Sequence, residues 1–485
     1  MKSQPTQGTT AATTETERGA PPGLTGGEGF SYEDTVAAVY VVALLGEAPA
    51  LGLTARTVIH VAVQQGPLGQ PLDDLVVEAR GVDQSVATFS AQVKESLRIS
   101  AAATNTDFRE TIERAYRTVS APGFQDGQDR VGAITGQIAD ASRRTFETLC
   151  EWARDESSTE MLLRKLRTPG VAGDKATHFD VVREILSGHV ASEQLDAAVH
   201  KLLAHFVLIR MELLAEGSVT ENNAVADLAN MLAPADRGRA DDLWRRLLSF
   251  VRRAEGRAAG LDRKTLVARL NGAFRLAGAP SLSGALHSIE QETRLALGEI
   301  ANNIQGLNIP RESSVNQVVQ AVGVPGLLQV TGLPGVGKSV VLRLAVERLL
   351  QSGPVLLLKA DRLQGSTWAQ YAAASRLPNV DLEELLVELG ATGPRVLFID
   401  GLDRIEVARR GVLKDVLHSV LNSPLLSDWL VVATVRDTGA EPLRTWLPAK
   451  LFSSVRTLVK PSASNIVRRS AMAMRFALPM LMPQP

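Results

Sequence analysis

The chain has 485 residues, enough for about two to four domains of common size. Its 45% apolar and 22% charged content is that of a globular protein, and a formal net charge of -1 neither points to nor excludes nucleic acid as a partner. The only cysteine, Cys150, excludes an intrachain disulfide and a multi-cysteine zinc site, as expected for a cytoplasmic protein, and reads as a small core hydrophobe.

Residues 1–29 are rich in Thr, Gly and Pro and lack the charged start and apolar centre of a secretory signal, so they read as a disordered tail. Helical spacing follows over 32–45. The apolar stretch 36–53 is broken by Glu47, Pro49 and Gly52 before the roughly 18 clean residues of a membrane span, so no stable membrane insertion is expected. Three β-branched runs, 57–65, 75–79 and 86–93, predict strands. A helix over 107–119 with Asp107 as its N-cap, a strand over 130–137 and a helix over 139–154 then close a mixed α/β domain at 30–157.

Between 158 and 304 nothing alternates like a strand, while Leu195, Val199, Leu202, Phe206, Ile209 and Leu213 fill one helix face, so this segment reads as an all-helical connector. Arg245, Arg246, Arg252, Arg253 and Arg257 cluster within it, as either a solvated charged face or a phosphate-binding one. From residue 325 short apolar strands at 326–331, 354–359, 395–399 and 429–434 alternate with helices, with a last strand at 453–459. That pattern predicts a doubly wound parallel sheet over 305–460. The tail 461–485 is unlike the rest: Met472, Met474, Met480 and Met482 are half of the eight methionines, and no acid follows Glu441.

Gly332-Leu-Pro334-Gly335-Val336-Gly337-Lys338-Ser339 fits the phosphate-loop spacing between a buried strand and a helix. The glycines let backbone N–H groups curl around a β-phosphate at a helix N-terminus, Lys338 reaches the β- and γ-phosphates, and Ser339 ligates magnesium. ATP and Mg2+ are the expected cofactors. The apolar strand 396–399 delivers Asp400 to the carboxyl end of the sheet as a second magnesium ligand. Asp403 is either the group that polarises the attacking water or a surface loop acid. A second strand ends in Thr434-Val-Arg436-Asp437, so Arg436 either stabilises developing charge or pairs with Asp437.

The elements Asp400-Gly-Leu-Asp403 and Thr434-Val-Arg436 resemble those of STAND signal-transduction ATPases, including NACHT-type proteins, over about residues 305–460. Arg404 departs from that pattern, where many relatives carry an acid. The resemblance implies a nucleotide-controlled switch that forms a homo-oligomer when a protein trigger activates it.

In the N-terminal domain, Asp73 and Asp74 begin one strand while Gln92 and Lys94 lie on the same face of the next. A metal-binding Asp74, a Gln92 that places the metal or its water, and a Lys94 that orients the water and stabilises phosphorane charge form a hydrolytic set. Glu33, at the start of the first helix, is a further metal ligand if that helix crosses the sheet. Asp73 competes with Asp74 but lies on the opposite face.

This order resembles the restriction-endonuclease-like fold in a Gln-x-Lys variant. Gly29-Phe-Ser-Tyr-Glu33, Asp73-Asp74-Leu-Val-Val and Gln92-Val-Lys94 are similar to the CD-NTase-associated double-stranded DNA endonuclease domains that precede STAND ATPases in bacterial antiviral proteins. The resemblance implies an ATP-regulated, Mg2+-dependent endonuclease acting on double-stranded DNA in antiphage defence. The other reading is an ATP-binding scaffold whose N-terminal domain only binds a partner. Relatives of this kind continue into a helical lid and a sensor, so the tail reads as the end of a truncated or frame-shifted product, as a short flexible end or, through its arginines and apolar residues, as a weak membrane-surface segment.

Overall fold

The computed structural model describes residues 31–66, 69–255, 259–302, 310–437 and 440–458. The readings made for 1–29 and 461–485, and that of Arg257, lie outside these residues.

Two sheets organise the chain. The first is built on β1 (Arg56–Val63), β2 (Leu75–Gly81), β3 (Val86–Ser96), β4 (Arg130–Gln137), β5 (Phe206–Arg210) and β6 (Gly260–Asp262), in the order β5-β4-β3-β2-β1-β6. Strands β1 to β3 are antiparallel neighbours and β6 is antiparallel to β1, whereas β3, β4 and β5 run parallel. Short turns suffice for the antiparallel part. The parallel part needs crossovers, which α2 (Thr106–Val119) supplies between β3 and β4 and four further helices supply before β5.

Helix α1 (Tyr32–Leu45) opens the fold. Ser31 accepts from the Asp34 amide while Asp34 accepts from the Ser31 amide, a reciprocal capping box that fixes where the helix begins. Val36, Ala38, Tyr40, Val41 and Leu44 are all but fully buried, because α1 lies between the sheet and the helix Ala240–Glu255. Arg252 of that helix reaches the buried Asp34 at 2.9 Å, so this arginine serves an internal ion pair rather than a solvated face.

The connector expected to be all helical carries two strands. The helix Leu195–His205 ends where its spacing still looks helical, and Phe206–Arg210 extends along β4 from Val131↔Phe206 to Thr135↔Arg210. A run of four apolar residues fits either conformation, and the unpaired edge of β4 decides for strand. Likewise β6 pairs His60↔Asp262 and Val61↔Leu261 on the far edge. Residues well past 157 thus complete the first sheet. The cap expected at Asp107 is also displaced: Asn105 is the N-cap of α2, its side chain bonded to the preceding loop rather than to the helix amides, and Asp107 lies in the first turn.

The second sheet holds β7 (Gly326–Gly332), β8 (Leu356–Lys359), β9 (Val396–Asp400), β10 (Leu430–Arg436) and β11 (Val455–Leu458), all parallel, in the order β11-β7-β10-β9-β8. Alternate residues feed two cores. Val396 and Phe398 pack with the helix Lys338–Leu349, whereas Leu397 and Ile399 pack with the helices Leu382–Thr392 and Arg410–Asn422. Burial on both faces explains why these strands read as continuous apolar runs. The molecule is therefore α/β, with one mixed and one parallel sheet.

Candidate functional site

Two clusters of the expected residues form, one at the carboxyl end of each sheet's parallel strands or beside it. In the second sheet, β7 feeds a loop in which Gly335 and Gly337 have φ of 79° and 88°, conformations that favour glycine. The helix Lys338–Leu349 starts directly after Gly337, with no side-chain cap on its first amides. Pro334 and Val336 lie within this loop, which presents a helix N-terminus and backbone amides suited to an anion. Lys338 Nζ donates to the carbonyls of Gly332 at 2.8 Å and Leu333 at 3.0 Å, and burial pulls its pKa below the ordinary lysine value.

Strand register does the rest. Arg436 is opposite Gly332 and Lys359 opposite Asp400, so the ends of β7, β8, β9 and β10 meet at one edge. Asp400 is 1% exposed, and its Oδ1 accepts from Ser339 Oγ at 2.8 Å and from Thr434 Oγ1 at 2.7 Å. Thr434 Oγ1 in turn accepts from the Gly401 amide at 2.7 Å. Two oxygen donors, Ser339 and Asp400, thus sit together in a geometry that fits a hard divalent cation beside a phosphate.

Asp403 is no surface acid: its side chain is 8% exposed and pairs with Arg436, whose Nε lies 3.2 Å away and whose backbone amide lies 3.4 Å away. Arg436 takes this partner from the neighbouring turn. Arg404 leans back to within 4.0 Å of Asp400 and 3.6 Å of Asp361, putting a cation beside the buried aspartate.

Arg311 escaped the sequence reading. It is 9% exposed, its Nε has no hydrogen-bond partner among the described residues, and a Cβ placed on Gly337 would meet its guanidinium at 2.5 Å. A lone arginine ahead of a helix carries no spacing signal, yet this one stands against the phosphate-type loop.

In the first sheet, the pair Leu75↔Ala91 sets the next residues, Asp74 and Gln92, opposite one another. Gln92 Nε2 donates to Asp74 Oδ2, which also accepts from the Val93 amide at 2.9 Å. Gln92 is 4% exposed, and its Oε1 has no partner among the described residues, a buried acceptor that calls for a cation or a donor. Lys94 lies two residues on along β3, 3.9 Å from Asp107, and its charge partly opposes the rise that burial gives both Asp74 and Glu33.

Glu33, from the first turn of α1, closes the group. Gln64 reaches its carboxylate at 3.4 Å, aided by a left-handed backbone at Gln64 with φ 51° that turns the chain out of β1. Burial, and then the neighbouring Asp74 charge, push Glu33 up to about 7. Burial also raises Asp74, against the Val93 amide and Lys94. Two acids held above their ordinary values beside one lysine form an electrostatically loaded group of the kind found at functional sites. Asp73 faces elsewhere, at 2.6 Å from Arg114 of α2. Among the described residues no group of three or more His, Cys, Asp and Glu side chains is placed to hold a metal, so any cation here relies on Gln92 and on two acids.

No protein-family model matches the chain, and no curated protein matches it in sequence. Among solved structures it is similar to the Moraxella osloensis Cap4 SAVED/CARF-domain receptor, at 13% identity and a TM-score of 0.28, covering 77% of this chain and 64% of that one. The Acinetobacter baumannii Cap4 receptor with the cyclic trinucleotide 3′3′3′-cAAA gives 11%, 0.29, 79% and 66%. The Saccharomyces cerevisiae Hsp104–ADP complex gives 15%, 0.24, 81% and 74%. The chain spans under two thirds of the length of the Moraxella receptor. Scores this low do not establish a shared fold.

Proposed function

We propose that the chain is an ATP-controlled, metal-dependent endonuclease that cuts double-stranded DNA in bacterial antiphage defence, with a STAND-type ATPase as its switch. One observation supports the reading: Glu33 of α1, Asp74 just ahead of β2, and Gln92 and Lys94 of β3 form one half-buried polar group in which the buried Gln92 carries an acceptor without a partner among the described residues. A magnesium ion bound there would supply a lowered water pKa and charge neutralisation at the scissile phosphate. Asp74 and Glu33 would hold it, Gln92 would help place the metal or its water, and Lys94 would steady negative charge growing on the phosphate.

In the second cluster the glycine loop and Lys338 bind the ATP phosphates, Ser339 and Asp400 hold the accompanying magnesium, and Asp403 positions water with Arg436 beside the γ-phosphate. The activated protein assembles as a homo-oligomer in the cytoplasm in response to a protein trigger. Among the described residues no helix is long and apolar enough to cross a membrane.

One observation favours the second reading, a partner-binding N-terminal domain without catalysis: Gln92 is already bonded to Asp74, and the donor set is small. Incubating linear duplex DNA with purified protein, Mg2+ and ATP separates the two. The nuclease reading expects cleavage abolished by EDTA and rendered ATP-independent or silent by Lys338→Ala. Intact DNA under every metal and nucleotide condition, with trigger-containing lysate added back, supports the scaffold.

A further inference from the structure

Arg263 begins the helix Arg263–Leu270 directly after β6, so backbone pairing between β6 and β1 anchors it to the first sheet. Its side chain faces the second sheet. Nη1 lies 2.7 Å from Glu388 Oε2 and Nη2 lies 3.2 Å from Oε1, a fork-on-fork pair with Glu388 1% exposed. Nε of the same guanidinium donates to the Leu45 carbonyl at 2.9 Å, the last residue of α1. Glu388 Oε1 also accepts from the Ala279 amide at 2.6 Å. Next to it, Lys264 pairs with Glu383 on the same helix, Leu382–Thr392.

The two ends of this junction lead to the two clusters. From Glu388 the helix runs into β9, which ends at Asp400. From Leu45 the 14-residue α1 runs back to its first turn, which carries Glu33. A helix of that length moves as a rod, so tilting its C-terminal end displaces its N-terminal turn across the sheet. We propose that Arg263 is a positioning residue that transmits the state of the nucleotide cluster to Glu33, by holding the end of α1 and the helix ahead of β9 in one rigid joint. The proposal rests on the ATP and nuclease assignments above. Glu33 is the member of its cluster supplied by a helix, so α1 can move it while the β2–β3 pair keeps Asp74, Gln92 and Lys94 fixed. The joint resists opening: Nε, Nη1 and Nη2 of the guanidinium each hold an acceptor, and breaking the pair would strand a buried carboxylate without its counter-ion.

Hydrogen–deuterium exchange on the full chain, with and without Mg2+ and a non-hydrolysable ATP analogue, tests this. The analogue is expected to slow exchange at 332–339 and to change exchange in α1. In the double variant Arg263→Met/Glu388→Met, which leaves no lone buried charge, the effect at 332–339 is expected to persist while the α1 response is lost. Glu388→Gln is expected to weaken the response without abolishing folding. A response in α1 that persists in the double variant, or is missing from the parent protein while 332–339 is protected, overturns the proposal. No protection at 332–339 overturns the ATP assignment and the proposal with it. An intact α1 response without DNA cleavage overturns only the nuclease assignment.

Discussion

Ser339 Oγ donates to Asp400 Oδ1 across 2.8 Å, so the first turn after the glycine loop and the last residue of β9 share a hydrogen bond. The aspartate is nearly sealed from solvent and takes a second donor from Thr434, which fixes the carboxylate's rotation. Pre-set oxygen ligands avoid reorganisation when a magnesium–nucleotide complex binds. Asp400→Asn is therefore expected to lower ATP turnover roughly 100-fold or more while retaining part of the nucleotide affinity. Lys338→Ala is expected to remove binding itself. Fluorescent-nucleotide titration alongside phosphate release distinguishes the two, and equal loss of both quantities in Asp400→Asn would contradict the assignment.

The acid Glu33 carries a pH signature. Burial and then Asp74 hold its carboxyl near 7, against an ordinary value of 4.5. A folded state that binds the proton more tightly is most favoured below the ordinary value, and this contribution is lost as pH rises through about 7. Metal binding needs the carboxylate, so Mg2+-dependent cleavage is expected to rise over the same interval. In Glu33→Gln both the cleavage rise and that part of the stability change should disappear. A parent profile that is flat between about pH 6 and 8 contradicts this role.

Gly132 tests the strand that the sequence did not reveal. It pairs with Val207 of β5, and a Cβ at this position would come within 1.9 Å of the Val207 carbonyl, which is backbone and has little room to yield. Gly132→Ala is expected to cost about 1–3 kcal/mol in urea unfolding. Stability unchanged from the parent would mean that β5 does not lie along β4.

The pair Arg263–Glu388 also has a stability signature. Arg263→Ala alone leaves a carboxylate that is 1% exposed without its counter-ion, and is expected to cost about 3–5 kcal/mol. Replacing both partners with methionine is expected to recover most of that loss. Equal destabilisation by the single and double variants would show that the cost comes from lost packing rather than from stranded charge.

Much of this was legible because local and global preferences agree. The expected bounds of α1 and β4 are the observed ones, since a capping box starts the first and flanking turns delimit the second. The strands of the second sheet were readable as apolar runs because they are buried on both faces. Where reading failed, the deciding term lay outside the segment. Phe206–Arg210 follows a helix whose period continues through Phe206 and Ile209, and only the edge of β4 makes it a strand. The three residues of β6 are too few for any periodicity and are fixed by β1. Gln64 joins Glu33 because its backbone turns left-handed after the strand, and Arg311 meets Gly337 through packing that no sequence spacing encodes.

Cys150 illustrates the opposite case, a residue whose role followed from type alone. It is buried in the core around α3 (Asp140–Asp155), and desolvation pushes its thiol up to about 12, leaving no reactive thiolate.

The most direct measurement is Mg2+-dependent cleavage of plasmid DNA by the parent protein and by Lys94→Ala, side by side, at saturating ATP. The account predicts double-strand cuts by the parent and a loss of roughly 100-fold or more in Lys94→Ala, with nucleotide binding unchanged. Cleavage that survives Lys94→Ala at the parent rate would contradict it, because the cutting would then belong to some other site.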